Sequence, residues 1–486
     1  MPRFYWETRR PGRILRSSAV ERRELSAQER TALAAIVGAP HLLVAKDELE
    51  PYARDWTEDF VHYPAAAAKP KTTDEVSRLL AFCNERRIPV TPQGGRTCLT
   101  GGALPLYGGL ALSLERMNAI LEIDTDNLVA AVEAGVVTQT LHEAVEAKGL
   151  YYPPDPASRG SCMIGGNIAE NAGGPHAAKY GVTGRWVMGV EAVFADGSVA
   201  VTGGKTRKDV AGYDLTSLLL GSEGTLGVVT KAWLRLIPRP PSWATLVVPF
   251  RTLEDAARCV LELHRRGLVL SACEFVDKPS LDLSSKKKGV SVPFPEAEAR
   301  LLLELDGSSE AEVERDVTLA GEIALECGAL DVVLATDEAK RRALWEVRGG
   351  IAEAVHELGV SAELDLAVPR TELVSLVAAI RRLSGAVGLR SVAFGHAADG
   401  NLHVHLFRQG KDPGARALLE RTAGEIYAET VRLGGTVTGE HGVGITSRDV
   451  LFLYRPPAFL AAMRAIKQAL DPNGILNPGK VIPAPG

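Results

Sequence analysis

Apolar residues in "TTDEVSRLLAFCNERRI" (72–88) fall at Val76, Leu79, Leu80 and Cys83, three and four positions apart. A threonine suited to cap a helix precedes them and Pro89 follows, so the spacing predicts a helix that leads into a strand. From 90 to 237 the period shortens. Pieces such as "LALSL", "AAVEAGV", "VMGVEAVFADGSVAVTG" and "GVVTKAWLRLI" are β-rich and punctuated by glycine, as in strands joined by tight turns. "PRPPSW" at 238–243 cannot continue a central strand and marks a domain boundary. Beyond it, helical patterns ("LEDAARCVLELHRRG", "EAEVERDVTLAGEIALECG", "TELVSLVAAIRRLSG") alternate with strands ("RLLLELDG", "RSVAFGH"). "AFLAAMRAIKQALDPNGILNPGK" reads as a helix followed by turns, and "SSKKKG" at 284–289 as a solvated basic loop. No solenoid-length repeat is present. The pattern predicts an α+β chain with a sheet-dominated first domain and a second α+β domain.

Composition narrows the class only a little. The 486 residues exceed one ordinary core, and 46% hydrophobic with 24% charged residues is a globular balance. A net charge of −5 lacks the basic surplus that phosphate backbones demand, so a small molecule is expected as partner and nucleic acid is not. Six cysteines at 83, 98, 162, 259, 273 and 327 show no CxxC spacing, which suits reduced thiols and a cytoplasmic protein. No apolar run approaches the roughly 18–20 residues of a membrane span. The arginine-rich N-terminus includes Glu7 and Glu21 and lacks a clean amphipathic face, so a loosely docked tail is expected rather than a presequence.

Three glycine clusters bear chemistry: "PQGGRTCLTGGA" (92–103), "GGNIAENAGG" (165–174) and "GSEGTLG" (221–227). Glycine lets backbone N–H groups close on an anion, so repeated clusters suggest a phosphate cradle. None is GxGxxG, and "GSEGTLG" leads into the β-like "VVTKAWLRL" instead of a helix, which argues against a nicotinamide Rossmann unit.

Histidines supply the second signal. Only ten occur, yet "FGHAADGNLHVHLF" holds His396, His403 and His405, and "GEHGVG" adds His441. Read as two strands around "AADG", with 396 facing 401, the alternation puts the three hairpin histidines on one face and makes His396 and His403 diagonal neighbours. Such neighbours can share a metal, and Glu440 is the natural third ligand of a site with one open position. His405 is expected to be an ordinary hydrogen-bonded residue.

"VTPQGGRTCLTGGALP", "YYPPDPAS", "IGGNIAENAGGPHAAKYG" and "GSEGTLGVVTKAWLRLIPRP" resemble the FAD-binding domain of vanillyl-alcohol-oxidase-type flavoenzymes. Together with the C-terminal motifs, the chain from about 40 to 480 is most similar to the family of glycolate oxidase flavin subunits and FAD-linked D-lactate dehydrogenases. The resemblance implies a tail and lead-in over 1–40 and a two-part FAD-binding domain over 41–240. An α+β substrate, or cap, domain with the metal site follows over 241–470, and 471–486 returns to the flavin. It implies noncovalent FAD held by Pro92, Gln93, Gly94, Gly95, Arg96, Thr97, Gly101 and Gly102. Pro156, Ser158, Gly165, Gly166, Asn167, Asn171, Val229, Asn401 and Asn477 add to that set. It further implies a divalent metal, zinc first and manganese or iron otherwise, on His396, His403 and Glu440, with His441 as base and Arg348 gripping the substrate carboxylate.

Ala398 departs from the family's glycine. Glu363 stands where relatives specialised for D-2-hydroxyglutarate often carry lysine, which favours a monocarboxylate such as D-lactate or glycolate. The expected activity is oxidation of a D-2-hydroxy acid. The alternatives are a non-redox transferase of the alkylglycerone-phosphate synthase type, against which "GEHG" tells, and a noncatalytic flavin subunit. An electron acceptor (quinone, cytochrome or partner subunit) is implied, with peripheral membrane contact and a homodimer left open.

Overall fold

A computed structural model describes residues 22–57, 60–289, 293–335, 337–356, 361–408 and 415–482. The arginine-rich N-terminus lies outside them. Two compact units form, the first from 22–173, 182–239 and 440–482, the second from 174–181 and 240–439. The break at 239/240 falls in the proline stretch. The sequence division differs elsewhere: 440–470 belongs with the first unit, and 174–181 with the second.

In the first unit, helix Thr73–Arg86 begins where the Thr72 side chain accepts the Glu75 N–H, and it buries Val76, Leu79, Leu80 and Cys83. Arg87, at φ 52°, ends it and turns the chain into strand Val90–Gln93. The lead-in is more than a tail. Helix Ala27–Val37, opened by a Ser26–Glu29 capping box, sends Leu33 and Val37 into the same core.

Three sheets frame this unit. One orders Leu42–Leu43, Ala66–Ala68, Leu110–Ser113 and Val90–Gln93. The second is a five-stranded antiparallel sheet running Ile120–Asp124, Val129–Glu133, Val228–Arg235, Val187–Val193, Val199–Val201, and the third pairs Ile237–Pro238 with Leu150–Tyr151. The C-terminal segment completes the first sheet: the Val90 N–H donates to the Ile475 carbonyl at 2.8 Å, and the Asn477 N–H to the Val90 carbonyl at 2.8 Å.

The second unit is built on a seven-stranded antiparallel sheet. Its order is Val333–Leu334, Ser242–Phe250, Ala299–Gly307, Ala272–Asp277, Arg390–His396, Asn401–Phe407, Ser361–Ala367. Helices Leu253–Arg265, Glu310–Glu326, Leu373–Ala386 and Ala415–Arg432 pack against it. The other face is divided. At one end Val276, Val392, Phe394 and Phe407 pack with Leu281, Ile351 and Val355; beside them lie Glu274, Glu304, Asp365, His396 and His403, all buried.

The basic segment is not a loop. Lys278–Lys288 is a helix whose N-cap, Asp277, accepts the Ser280 N–H, and Gly289 caps its end at φ 66°. Lys286, Lys287 and Lys288 in the last turn complement the negative end of the helix dipole. Its apolar content is low, and the caps and the burial of Leu281 make the helix. All six cysteines are unbridged. Among the described residues no helix is long and apolar enough to cross a membrane.

Candidate functional site

Loop 94–97 in the first unit follows strand Val90–Gln93 and is half-buried. Among the described residues, the backbone N–H groups of Gly94, Gly95, Arg96 and Thr97 donate to no protein acceptor. Four successive donors left open, with Arg96 at φ 57°, form the kind of concave nest that binds phosphate. A side chain at Gly95 could not be accommodated, because its β-carbon would lie 2.3 Å from the Ser161 carbonyl oxygen. The loop is thereby pressed against the turn that carries Pro156 and Ser158. Gly166, by contrast, faces open space: a β-carbon there meets nothing within 4 Å. This geometry fits the FAD expected from the sequence.

Several residues of the expected FAD set hold loops rather than present side chains. Gln93 Nε2 donates to the Tyr52 and Ala103 carbonyls, Asn167 Nδ2 to Thr138 Oγ1, and Asn171 Oδ1 accepts the Gly184 N–H. Asn477 Nδ2 donates to the Gly102 carbonyl at 2.9 Å and the Glu223 carbonyl at 2.7 Å, so it staples two glycine loops to the C-terminal segment. Gly101 and Gly102 are buried, Gly165 packs on Ala134, and Val229 is buried beside a register shift in strand Val228–Arg235. Asn401, also in that set, lies in the second unit, where its Nδ2 donates to Asp365 Oδ1 and the Leu366 carbonyl.

Sequence reasoning missed a buried ionisable group behind these loops. Glu223 Oε1 and Oε2 accept the Val443 and Gly444 N–H groups, each at 2.7 Å. Burial, reinforced by the charge of Glu223, raises the Glu170 carboxyl well above the usual carboxylate range. Lys480, 2% exposed, donates to the Leu104 carbonyl and Asn477 Oδ1, and burial brings its ammonium down to about 8. The glutamates sit inside "GGNIAENAGG" and "GSEGTLG", and a charge amid glycines was the only cue.

In the second unit the histidine hairpin takes the expected frame. Arg390–His396 and Asn401–Phe407 pair antiparallel, from Arg390 opposite Phe407 to Phe394 opposite His403. The turn is a 3-10 segment, Ala397–Asp399. Gly400 takes the left-handed conformation at φ 72°, so alanine at 398 is accommodated. The His396 and His403 rings face one another edge to face, 5.3 Å apart, and each is 6% exposed. His405 is fully buried and stacks on Phe394 at 5.6 Å.

A carboxylate stands behind each of the facing rings. Glu274 is the register partner of His396, and its Oε1 lies 2.5 Å from His396 Nδ1. Its Oε2 receives Arg348 Nε at 2.7 Å, with Arg348 Nη2 at 2.5 Å. Burial alone would raise the Glu274 carboxyl, but the adjoining His396 ring and Arg348 guanidinium bring it down to about 2. Asp365 is the register partner of His403, with Oδ1 3.8 Å from His403 Nδ1. Its Oδ2 accepts the Gly439 N–H at 2.7 Å. Arg348 is thus held along one edge of its guanidinium, over the Phe394 ring at 4.7 Å, while its Nη1 donates to nothing among the described residues. Glu363 shares the face of the histidines, opposite His405.

Two buried imidazoles backed by carboxylates are a nitrogen donor pair that suits zinc, manganese or iron. Glu440 and His441 belong to the first unit and follow Gly439 directly in the chain. Glu274 and Asp365 escaped sequence reasoning because "SACEFVDK" and "AELDLAVP" read as ordinary strands.

Comparisons with known proteins bear on the flavin half of this reading. Residues 239–481 match the family "FAD linked oxidases, C-terminal domain", and residues 64–203 match "FAD binding domain". Glycolate oxidase subunit GlcD of Bacillus subtilis is 42% identical over 431 residues, 88% of this chain and 91% of that protein. D-lactate dehydrogenase of Anaerostipes hadrus is 36% identical over 459 residues, covering 91% of this chain and 95% of its own. Mitochondrial D-2-hydroxyglutarate dehydrogenase of Bos taurus is 35% identical over 486 residues, 98% and 86%. In fold, the chain is similar to 4-ethylphenol oxidase from Gulosibacter chungangensis (TM-score 0.77, 20% identity, 95% and 99% covered). It is also similar to alkyldihydroxyacetonephosphate synthase (TM-score 0.74, 17% identity, 94% and 87% covered). The chain belongs to the FAD-linked oxidases, with an FAD-binding domain of the vanillyl-alcohol oxidase type. Its activity is that of an FAD-linked hydroxy-acid oxidoreductase.

Proposed function

We propose that this protein oxidises a D-2-hydroxy acid, D-lactate or glycolate, to the corresponding 2-oxo acid, with noncovalent FAD and a divalent cation. Bound FAD supplies the hydride acceptor, and the cation supplies the Lewis acidity that lowers the pKa of the substrate hydroxyl. The N–H groups of Gly94, Gly95, Arg96 and Thr97 hold the phosphates of the cofactor. His396, His403 and Glu440 hold the cation. His441, neutral, takes the hydroxyl proton onto its ring nitrogen. The outer edge of the Arg348 guanidinium holds the substrate carboxylate, for which its fork is matched. Glu363, on the histidine face, disfavours a second carboxylate. A quinone, a cytochrome or a partner subunit accepts the electrons afterwards.

The observation that carries the reading is the facing pair His396 and His403, each with a carboxylate behind it. Anaerobic titration of the flavin with D-lactate, L-lactate, glycolate and D-2-hydroxyglutarate, before and after chelation, tests it. Bleaching by D-lactate or glycolate that chelation abolishes is the expected result. A flavin that none of the four reduces, or reduction indifferent to chelation, overturns it.

A further inference from the structure

One buried side chain touches two of the groups just assigned, and nothing so far gives it a role. Glu274 lies inside strand Ala272–Asp277, fully buried, with every residue of that strand buried as well. A carboxylate there is costly unless both oxygens are bonded. They are, and to different partners. Oε1 meets His396 Nδ1, and Oε2 meets the Nε edge of Arg348. The sheet register sets the first contact, because Glu274 and His396 are paired residues on adjacent strands. Helix Glu338–Gly349 delivers the second.

We propose that Glu274 is a positioning residue shared by two functions: it fixes the orientation of His396 toward the cation and the orientation of Arg348 toward the substrate carboxylate. The inference rests on the cation and the carboxylate grip proposed above. A proton held between Nδ1 and a carboxylate leaves the lone pair of the imidazole on Nε2, which makes Nε2 the ligating nitrogen and raises its basicity. The same carboxylate occupies the Nε and Nη2 donors of Arg348, which turns the remaining edge of the guanidinium outward. Ligand and grip are thereby locked to one rigid strand, and their spacing is set without either touching the other.

Glu304 provides the comparison. It is equally buried and bonds Arg341, Trp345 and His176 from the neighbouring strand, without contact to His396 or Arg348. The experiment uses the FAD-loaded full chain and reads zinc affinity, by competition with a fluorescent chelator, alongside KM and kcat for D-lactate. Arg348→Gln is expected to raise KM while zinc affinity stays near wild type. Glu274→Gln is expected to do both: to weaken zinc about 10–100-fold and to raise KM at least as far as Arg348→Gln does, with FAD content unchanged. Glu304→Gln is expected to lower thermal stability and leave zinc affinity near wild type. If Glu274→Gln does not fold, the double variant Glu274→Gln/Arg348→Gln removes the unpaired buried cation, and its zinc affinity is expected to remain low.

Wild-type zinc affinity retained in Glu274→Gln, or in the double variant, overturns the shared role and leaves the proposed function standing. An equal loss in Glu304→Gln assigns the effect to the sheet as a whole and also overturns it. A wild-type chain that binds neither zinc nor manganese removes the proposed cation, and the inference with it.

Discussion

The carboxylate of Asp365 receives the backbone N–H of Gly439 at 2.7 Å, and the next residue in the chain is Glu440. Asp365 also accepts Asn401 Nδ2 at 2.8 Å and Thr438 Oγ1 at 3.2 Å, so one buried acid ties the histidine strand to the peptide that leads into "GEHG". Hydrogen bonds to a charged group contribute about 1.5–3 kcal/mol each. Asp365→Ala should lower kcat/KM about 10–100-fold and reduce thermal stability, whereas Asp365→Asn should retain more of both. Steady-state kinetics and calorimetry on the two variants check this.

The hairpin histidines should separate by function. His396→Ala or His403→Ala should lower kcat/KM on the order of 100-fold or more while FAD stays bound. His405→Ala removes a ring stacked on Phe394 inside the core. It should instead cost about 2–4 kcal/mol of stability with metal content unchanged. Metal analysis and denaturation of the three variants distinguish the roles.

Glycine positions in the cofactor loops should respond in opposite ways. Gly95→Ala forces a β-carbon onto the Ser161 carbonyl and should destabilise even the apoprotein. Gly166→Ala lies in helix Ile164–Glu170 with open space ahead of it. It should stabilise the apoprotein by about 0.5–1 kcal/mol and weaken FAD about tenfold, which is about 1.4 kcal/mol. Melting of apoprotein and flavin titration read the two effects separately.

Acid should act through Glu304. Burial raises its carboxyl, but hydrogen bonds and charge from His176 and Arg341 bring it down to about 2 from an ordinary value of 4.5. Between these values the unfolded chain binds the proton that the folded chain refuses, so this contribution is complete above about pH 4.5 and is lost as pH falls toward 2. The melting temperature of wild type should exceed that of Glu304→Gln at neutral pH, and the difference should shrink below pH 4.5. A gap that stays constant with pH would contradict the assignment.

Substrate choice should follow charge at position 363. Glu363→Lys places a cation on the histidine face and should shift kcat/KM toward D-2-hydroxyglutarate relative to D-lactate. Competition between the two acids measures the shift.

Local patterns carried much of the architecture. Once 396 is set opposite 401 around "AADG", alternation gives the shared face, and the observed pairing of Phe394 with His403 keeps that frame. Helix Thr73–Arg86 was legible from its cap and its apolar spacing. Lys278–Lys288 was not, because its helix depends on Asp277 and Gly289 at the ends more than on an apolar stripe. Glu274 was hidden for a different reason. Its partners lie 122 and 74 positions away, and the sheet order brings one of them while helix Glu338–Gly349 brings the other. A lone acid in an apolar strand carries no local mark of what it will face.

The edge strand Val90–Gln93 finds its last hydrogen-bonding partners at Ile475 and Asn477, far along the chain from it. Synthesis is vectorial, so a ribosome must release every residue between them before that margin can be sealed. Until then the nascent strand is an exposed template for mispairing, and the cell's chaperones inherit the interval.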